Sequence, residues 1–289
     1  MSSPPAGPLP FSARLAALAL ASLLGLNSCW YLGARRLPGS QVLFLLAGSA
    51  AYFVLLRLLC GLRFGDLSAE GRFVVLSGLL LLAAFLWLGR APGGGRSTPL
   101  GTFLHFSLSS VLFRSLLPLL AMGLLYRRRP RELGWRLRGT SRLGWIYLGL
   151  LLVVLPAVAW ASGRRDFQAS YPQARGLLVD GGVFVELFVL YQAAYLLVFL
   201  SGESFWRGYL LFGLERDLGP NAITWMVMLY SIGHYGKPFL ETNAAILAGS
   251  ALGWLALRHR SFWLGVALHW TVALSMDLAV LWRLGVVFR

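Results

Sequence analysis

Runs of apolar residues about as long as a bilayer is thick leave this chain few folds to choose from. A helix crosses the hydrocarbon core with about 20 largely apolar residues. Such runs lie near 14–34, 41–62, 73–90, 101–126, 144–162, 181–201, 221–235, 242–257 and 262–282. Backbone amides find no water inside a bilayer, so each run must satisfy its own hydrogen bonds as a helix. The expected fold is all-α, a polytopic transmembrane bundle of about eight or nine spans. The count is open because the run at 221–235 is short and the one before it continues or restarts through Glu203. Charged residues make up 13% of the chain, about half the share of a soluble domain.

The net charge of +15 comes from 25 arginines and one lysine against 11 acids. In a soluble chain that balance suggests nucleic acid. Here the arginines fall between the apolar runs, so anionic lipid headgroups and topology account for them, and no nucleic-acid partner is expected. The connection 127–142 carries seven arginines and one acid and is expected on the cytoplasmic side. Alternation from there puts 13 Lys/Arg on that side and 10 on the other, with Arg57, Arg114 and Arg207 inside spans. Cys29 and Cys60 both lie within runs and form no Cys-x-x-Cys pair, which argues against redox or zinc-thiolate chemistry. Leu26–Cys29 resembles a lipoprotein cleavage box, but the apolar character continues through Leu32, so this stretch is read as the first span. Two parts are expected, 1–143 with the N-terminal spans and the basic loop, and 144–289 carrying the chemistry.

Before residue 125 the exceptions to the apolar pattern are Arg57, His105 and Arg114. Arginines near a span end usually snorkel to the interface, and a lone histidine is usually satisfied locally, so all three are set aside. After residue 180 the polar groups multiply: Glu186, Gln192, Glu203, Arg207, His234, His269 and Asp277, with Glu241 at a span boundary. An ionised group at mid-bilayer costs ~2.5–3.5 kcal/mol unless paired or hydrated. Such a set implies either a hydrogen-bonded network gluing helices together or a shared polar cavity. Glu203 and Arg207 stand four apart, on one helix face, and can pair. A glutamate with a histidine can activate water for attack on a carbonyl, and a second histidine can stabilise the oxyanion. Glu203, His234 and His269 could also hold zinc. The His-Glu-x-x-His signature is absent, however, so neither a metal nor a cofactor is assigned.

At these residues the chain resembles the CPBP family, also called ABI or CAAX-protease-like. It comprises type II CAAX prenyl proteases and bacteriocin-processing or self-immunity proteins. The family's Glu-Glu-x-x-x-Arg motif, followed by Gly-aromatic-Leu, is matched from Gly202 to Leu210 except at the first glutamate. Phe-x-x-x-His is matched by Tyr230 to His234. The spaced glycines and basic turn are matched by Gly249, Gly253 and Arg258–Ser261. His-x-x-x-Asn is matched by His269 to Ala273. The resemblance covers about residues 180–280 and implies an intramembrane glutamic protease. Glu203, His234 and His269 would then be the catalytic set and Arg207 a support.

Two departures follow from the same alignment. Gly202 stands where the family has the glutamate taken as general base, and Ala273 where it has asparagine. A variant branch with a single glutamate resembles the stretch His234 to Glu241, which offers Glu241 as a replacement carboxylate. Gly236 and Pro238 suggest a chain break that folds Glu241 toward the cavity mouth. An interfacial Lys237–Glu241 pair is the plainer alternative. Asp277, eight residues after His269, lies near the same helix face and could orient that imidazole.

The expected function is therefore an intramembrane endopeptidase with a Glu/His-activated water, cleaving a membrane-associated peptide or protein terminus. The alternative is a catalytically silent relative acting as immunity factor, chaperone or scaffold. A transporter is a third reading, for which no internal repeat speaks. The partners implied are membrane lipids and a peptide substrate, and the location implied is a bacterial inner (cell) membrane.

Overall fold

The computed structural model describes residues 7–88, 98–137, 143–173, 177–179 and 181–289. Arg138 and Arg142 of the basic connection, and Asp180, lie outside the described residues. The chain opens with α1 (Ala13–Leu32), α2 (Ser40–Cys60) and α3 (Ala69–Leu88). Ser12 starts α1 by accepting from the Leu15 amide, and Gly39 and Gly61 bracket α2 with left-handed backbone. Then α4 (Pro99–Val111) runs through a π-helical turn (Leu112–Leu116) into α5 (Leu117–Tyr126). After α6 (Gly144–Ala161) and the short α7 (Arg165–Gln168), α8 (Val185–Glu203) passes into a second π-helical segment (Ser204–Leu211) and α9 (Phe212–Leu218). The last three helices are α10 (Ala222–Gly233), α11 (Phe239–His259) and α12 (Trp263–Arg283).

Eight helical stretches among the described residues are long and apolar enough to cross a membrane. The runs at 181–201 and 221–235 belong to one 49-residue stretch, Val185–Gly233, which carries α8 to α10. Among the described residues the β-strands are few and short. Strand β1 (Leu178–Val179) pairs antiparallel with β2 (Gly182–Val183), and β2 pairs parallel with β3 (Val287–Phe288). This clip ties the chain's end to the connection entering α8. Two-residue strands leave no periodicity in a sequence, which is why the apolar pattern does not announce them.

The bundle's centre is α10. Trp225, Met226, Met228 and Leu229 are fully buried, and α1, α2, α11 and the second π-helical segment pack around them. The outer helices turn leucines such as Leu80, Leu124 and Leu152 outward, each more than 60% exposed, as a lipid-facing surface requires. Lipid tails are as apolar as leucine, so close packing rather than water exclusion must hold helix to helix. Gly249 and Gly253 provide it between α10 and α11. A Cβ at Gly249 would stand 2.9 Å from the Tyr230 ring, and one at Gly253 2.9 Å from Met226 Cε. One buried cluster runs from Leu15 of α1 to Ala256 of α11, so the N-terminal helices form the wall against which Tyr230 and His234 are set.

Candidate active site

Glu203 is the last residue of α8, where the α-helical winding gives way to the wider π turns. Such turns recur at functional sites because they re-aim side chains that an unbroken helix would disperse. Here Arg207 Nη1 donates to Glu203 Oε1 at 2.7 Å, with the two residues 0% and 2% exposed. The same oxygen lies 2.6 Å from His269 Nδ1 of α12. The approach of α12 is allowed by Gly265, whose Cβ, if present, would lie 2.7 Å from Glu203 Oε2.

The tautomers follow from the partners. Glu203 Oε1 already accepts from Arg207, so His269 Nδ1 carries the proton toward it. The other nitrogen, Nε2, then accepts from the Tyr230 hydroxyl at 3.1 Å. Tyr230 lies beneath the Arg207 guanidinium, 4.7 Å from its ring centroid, a cation–π contact in a dry setting. His234 closes α10 one turn later, with its ring 4.4 Å from that of Tyr230. His234 Nδ1 stands 2.7 Å from the Tyr230 carbonyl, which can only accept, so Nδ1 bears the hydrogen and Nε2 keeps its lone pair. Glu203, Arg207, His269, Tyr230 and His234 thus form one connected group. A base nitrogen stands at one end and an arginine-held carboxylate at the other. Tyr230 is the member that the sequence reading names only as part of a motif.

Glu241 and Asp277 stand in a second group around the connection after α6. Between His234 and α11 the chain turns with Gly236 at φ 98° and Pro238 preceding the helix. Thr242 then donates to the His234 carbonyl, at 3.1 Å. Glu241, in the first turn of α11, accepts from the Tyr171 hydroxyl at 2.6 Å and lies 3.9 Å from Lys237 Nζ. Burial, and then the Glu241 carboxylate beside it, hold the Tyr171 phenol well above the ordinary tyrosine range, so it stays a donor. Asp277 is fully buried and accepts from Tyr191 at 3.0 Å and from Gln192 at 2.8 Å. His269 donates to Glu203 and accepts from Tyr230, and among the described residues no hydrogen bond joins it to Asp277. Glu186 is exposed in the first turn of α8 and joins neither group. Among the described residues no three His, Cys, Asp or Glu side chains converge as a metal-holding set.

Arg114 requires a correction. The expectation of a snorkelling arginine fails, because the π-helical turn Leu112–Leu116 directs it inward, where it is 8% exposed. Its guanidinium donates to Ser110 and to the Val198 carbonyl, and covers the Phe85 ring. It also lies against Gly202: a Cβ there would stand 3.5 Å from Arg114 Nη1. The position where the resembling family carries its first glutamate is therefore backed by a cation. No sequence signature marks a π turn, so periodicity alone could not find this.

A polytopic helical bundle with a buried carboxylate–arginine–histidine group at its core defines the class: an integral membrane protein with a polar site inside the bundle. Residues 184–275 match a family model described as Rce1-like, Type II CAAX prenyl endopeptidase Rce1-like. The matched stretch carries Glu203, Arg207, Tyr230, His234, Glu241 and His269, and supports the fold of CAAX-type intramembrane proteases there. No curated protein and no solved structure matches the chain.

Proposed function

We propose that this chain is an intramembrane endopeptidase of a bacterial inner membrane, cleaving a membrane-associated peptide with a water activated by its Glu/His group. The observation that carries the reading is the lone pair of His234 Nε2, left available because Nδ1 faces the Tyr230 carbonyl. A water beside that nitrogen gives it a proton while its oxygen bonds to the scissile carbonyl carbon. The oxyanion that forms takes the hydrogen bond from the Tyr230 hydroxyl that His269 Nε2 accepts in the resting state. When the tetrahedral intermediate collapses, the carbon–nitrogen bond breaks and the leaving amine takes the proton back from His234. Glu203, paired with Arg207, fixes the orientation of His269 and acts through it. Glu241, with Lys237 and Tyr171, lines the approach on the His234 side and supplies a second carboxylate there.

Arg114 against Gly202 favours a second reading, in which the fold serves as immunity factor, chaperone or scaffold without hydrolysis. Mapping the termini of membrane proteins separates the two. Cells with the wild-type chain should contain at least one terminus that is missing both from cells lacking the chain and from cells carrying His234→Ala at equal abundance. Identical termini in all three would leave only the silent reading.

A further inference from the structure

The ends of α11 lead to two different places. Its N-terminus carries Glu241 beside the site, and its C-terminus leads to Arg260, about 30 Å away by helix length. At that far end lies a cavity of about 610 Å³ lined by five arginines, among them Arg128, Arg131, Arg136 and Arg260, with Glu132 and Glu215. Five arginines against two glutamates leave an excess of three positive charges in one half-open cup.

The two acids are already engaged. Glu215 pairs with Arg260, and Glu132 accepts from the Arg129 amide at 2.7 Å. Arg128 is taken by Glu70 at 2.9 Å and donates to the Phe212 carbonyl. Arg131 and Arg136 are exposed and make no ion pair with an acid among the described residues. The cup is thus assembled by internal pairs and keeps two guanidinium groups for an anion, which arginine binds through its fork of donors.

The surroundings say which anion. The cup sits where spanning-length helices end, at Tyr126 of α5 and His259 of α11, the level at which headgroup phosphates lie. Leu124 and Leu125, one turn before the arginines, are 78% and 62% exposed, and Leu137, next to Arg136, is 66% exposed. Trp135 and Trp263, both part-exposed and in edge-to-face contact, stand beside it as interfacial tryptophans would. A soluble phosphate would use the arginines and leave these leucines without purpose. A lipid uses both.

We propose that this cup binds the phosphate of an anionic lipid headgroup, with the acyl chains lying along Leu124, Leu125 and Leu137. Basic pockets between transmembrane helices suit such headgroups, each added cation near the surface strengthening the attraction. Two of the lining arginines reach one residue behind them: Arg128 donates to the carbonyl of Phe212, and the Arg260 guanidinium lies 5.0 Å from the centre of the ring of Phe212. That residue opens α9 directly after the π-helical segment bearing Arg207, so the lipid would brace the helix that holds the site.

The test uses the full chain in zwitterionic detergent, with short-chain phosphatidylglycerol, short-chain phosphatidylcholine and inorganic phosphate as probes. Native mass spectrometry counts adducts and thermal unfolding reports stabilisation. The wild-type chain should retain phosphatidylglycerol and be stabilised by it in preference to phosphatidylcholine. Arg131→Ala with Arg136→Ala should weaken that binding about tenfold or more. Arg35→Ala with Arg36→Ala, an exposed pair elsewhere, should leave it unchanged. Equal retention of the two lipids by the wild-type chain would overturn the proposal, whatever the variants do. Equal weakening by both arginine pairs would also overturn it, by reducing the effect to net charge. Displacement of the lipid by millimolar phosphate would reassign the cup to a free anion.

Discussion

The buried group around Glu203 and the cup around Arg260 handle charge in opposite ways. In the Glu203 group the charges are buried and paired with one another: one carboxylate oxygen accepts from both Arg207 and His269, and Arg207 is wholly enclosed. Around Arg260 the charges crowd a solvent-facing cup, and Arg131 and Arg136 stand without acidic partners among the described residues. The difference follows from the medium. In a dry interior an unpaired charge is so costly that geometry must be satisfied pair by pair. Beside headgroups and water, single pairs contribute little and the field of the cluster matters instead.

That contrast can be broken most sharply by removing one arginine from the group and one from the cup. Arg207→Ala strands Glu203 in the interior and should cost about 3–5 kcal/mol in reversible unfolding. Arg260→Ala, in a half-exposed pair, should cost less than about 1 kcal/mol. Equal losses would mean that burial is not what distinguishes the two. Smaller is the expected effect of Gly253→Leu, which forces α11 away from Met226 and should cost about 1–3 kcal/mol through overpacking. Because the same helix packs on Tyr230 through Gly249, the substitution should also weaken the Tyr230–His269 contact, read as a shift in the ring signals of His269 by NMR. Smaller again is the effect of Tyr171→Phe, which removes the donor to Glu241 and should cost about 1 kcal/mol. A loss as large as that from Arg207→Ala would place Glu241 with the buried, individually partnered charges.

Much of this contrast is legible in the sequence, and the part that is not has a specific cause. Apolar runs announce the spans because a bilayer tolerates little else, and Gly236 with Pro238 announces the break that sets Glu241 at the start of α11. Glu203 and Arg207 are legible as a pair through their spacing. The inward turn of Arg114 is not, because it depends on a π-helical turn built from ordinary residues, Leu112 to Leu116. Nor is the partner of Asp277: helical spacing puts it near the face of His269, yet Tyr191 and Gln192 of α8 reach it instead. Same-face arguments describe one helix at a time, whereas hydrogen bonds here are made between helices. Tyr230 shows the same limit. Its hydroxyl, ring and carbonyl touch His269, Arg207 and His234 respectively, and only the approach of side chains from three separate segments reveals it.

The central claim is that His234, freed at Nε2 by the Tyr230 carbonyl, is the base of a peptide-cleaving site. Its most direct test takes a substrate identified by terminus mapping and reconstitutes it with the purified chain in proteoliposomes, comparing wild type with His234→Ala. The account predicts that His234→Ala lowers the cleavage rate by about 10²-fold or more while the unfolding midpoint stays near that of the wild type. Cleavage by His234→Ala at the wild-type rate would contradict it.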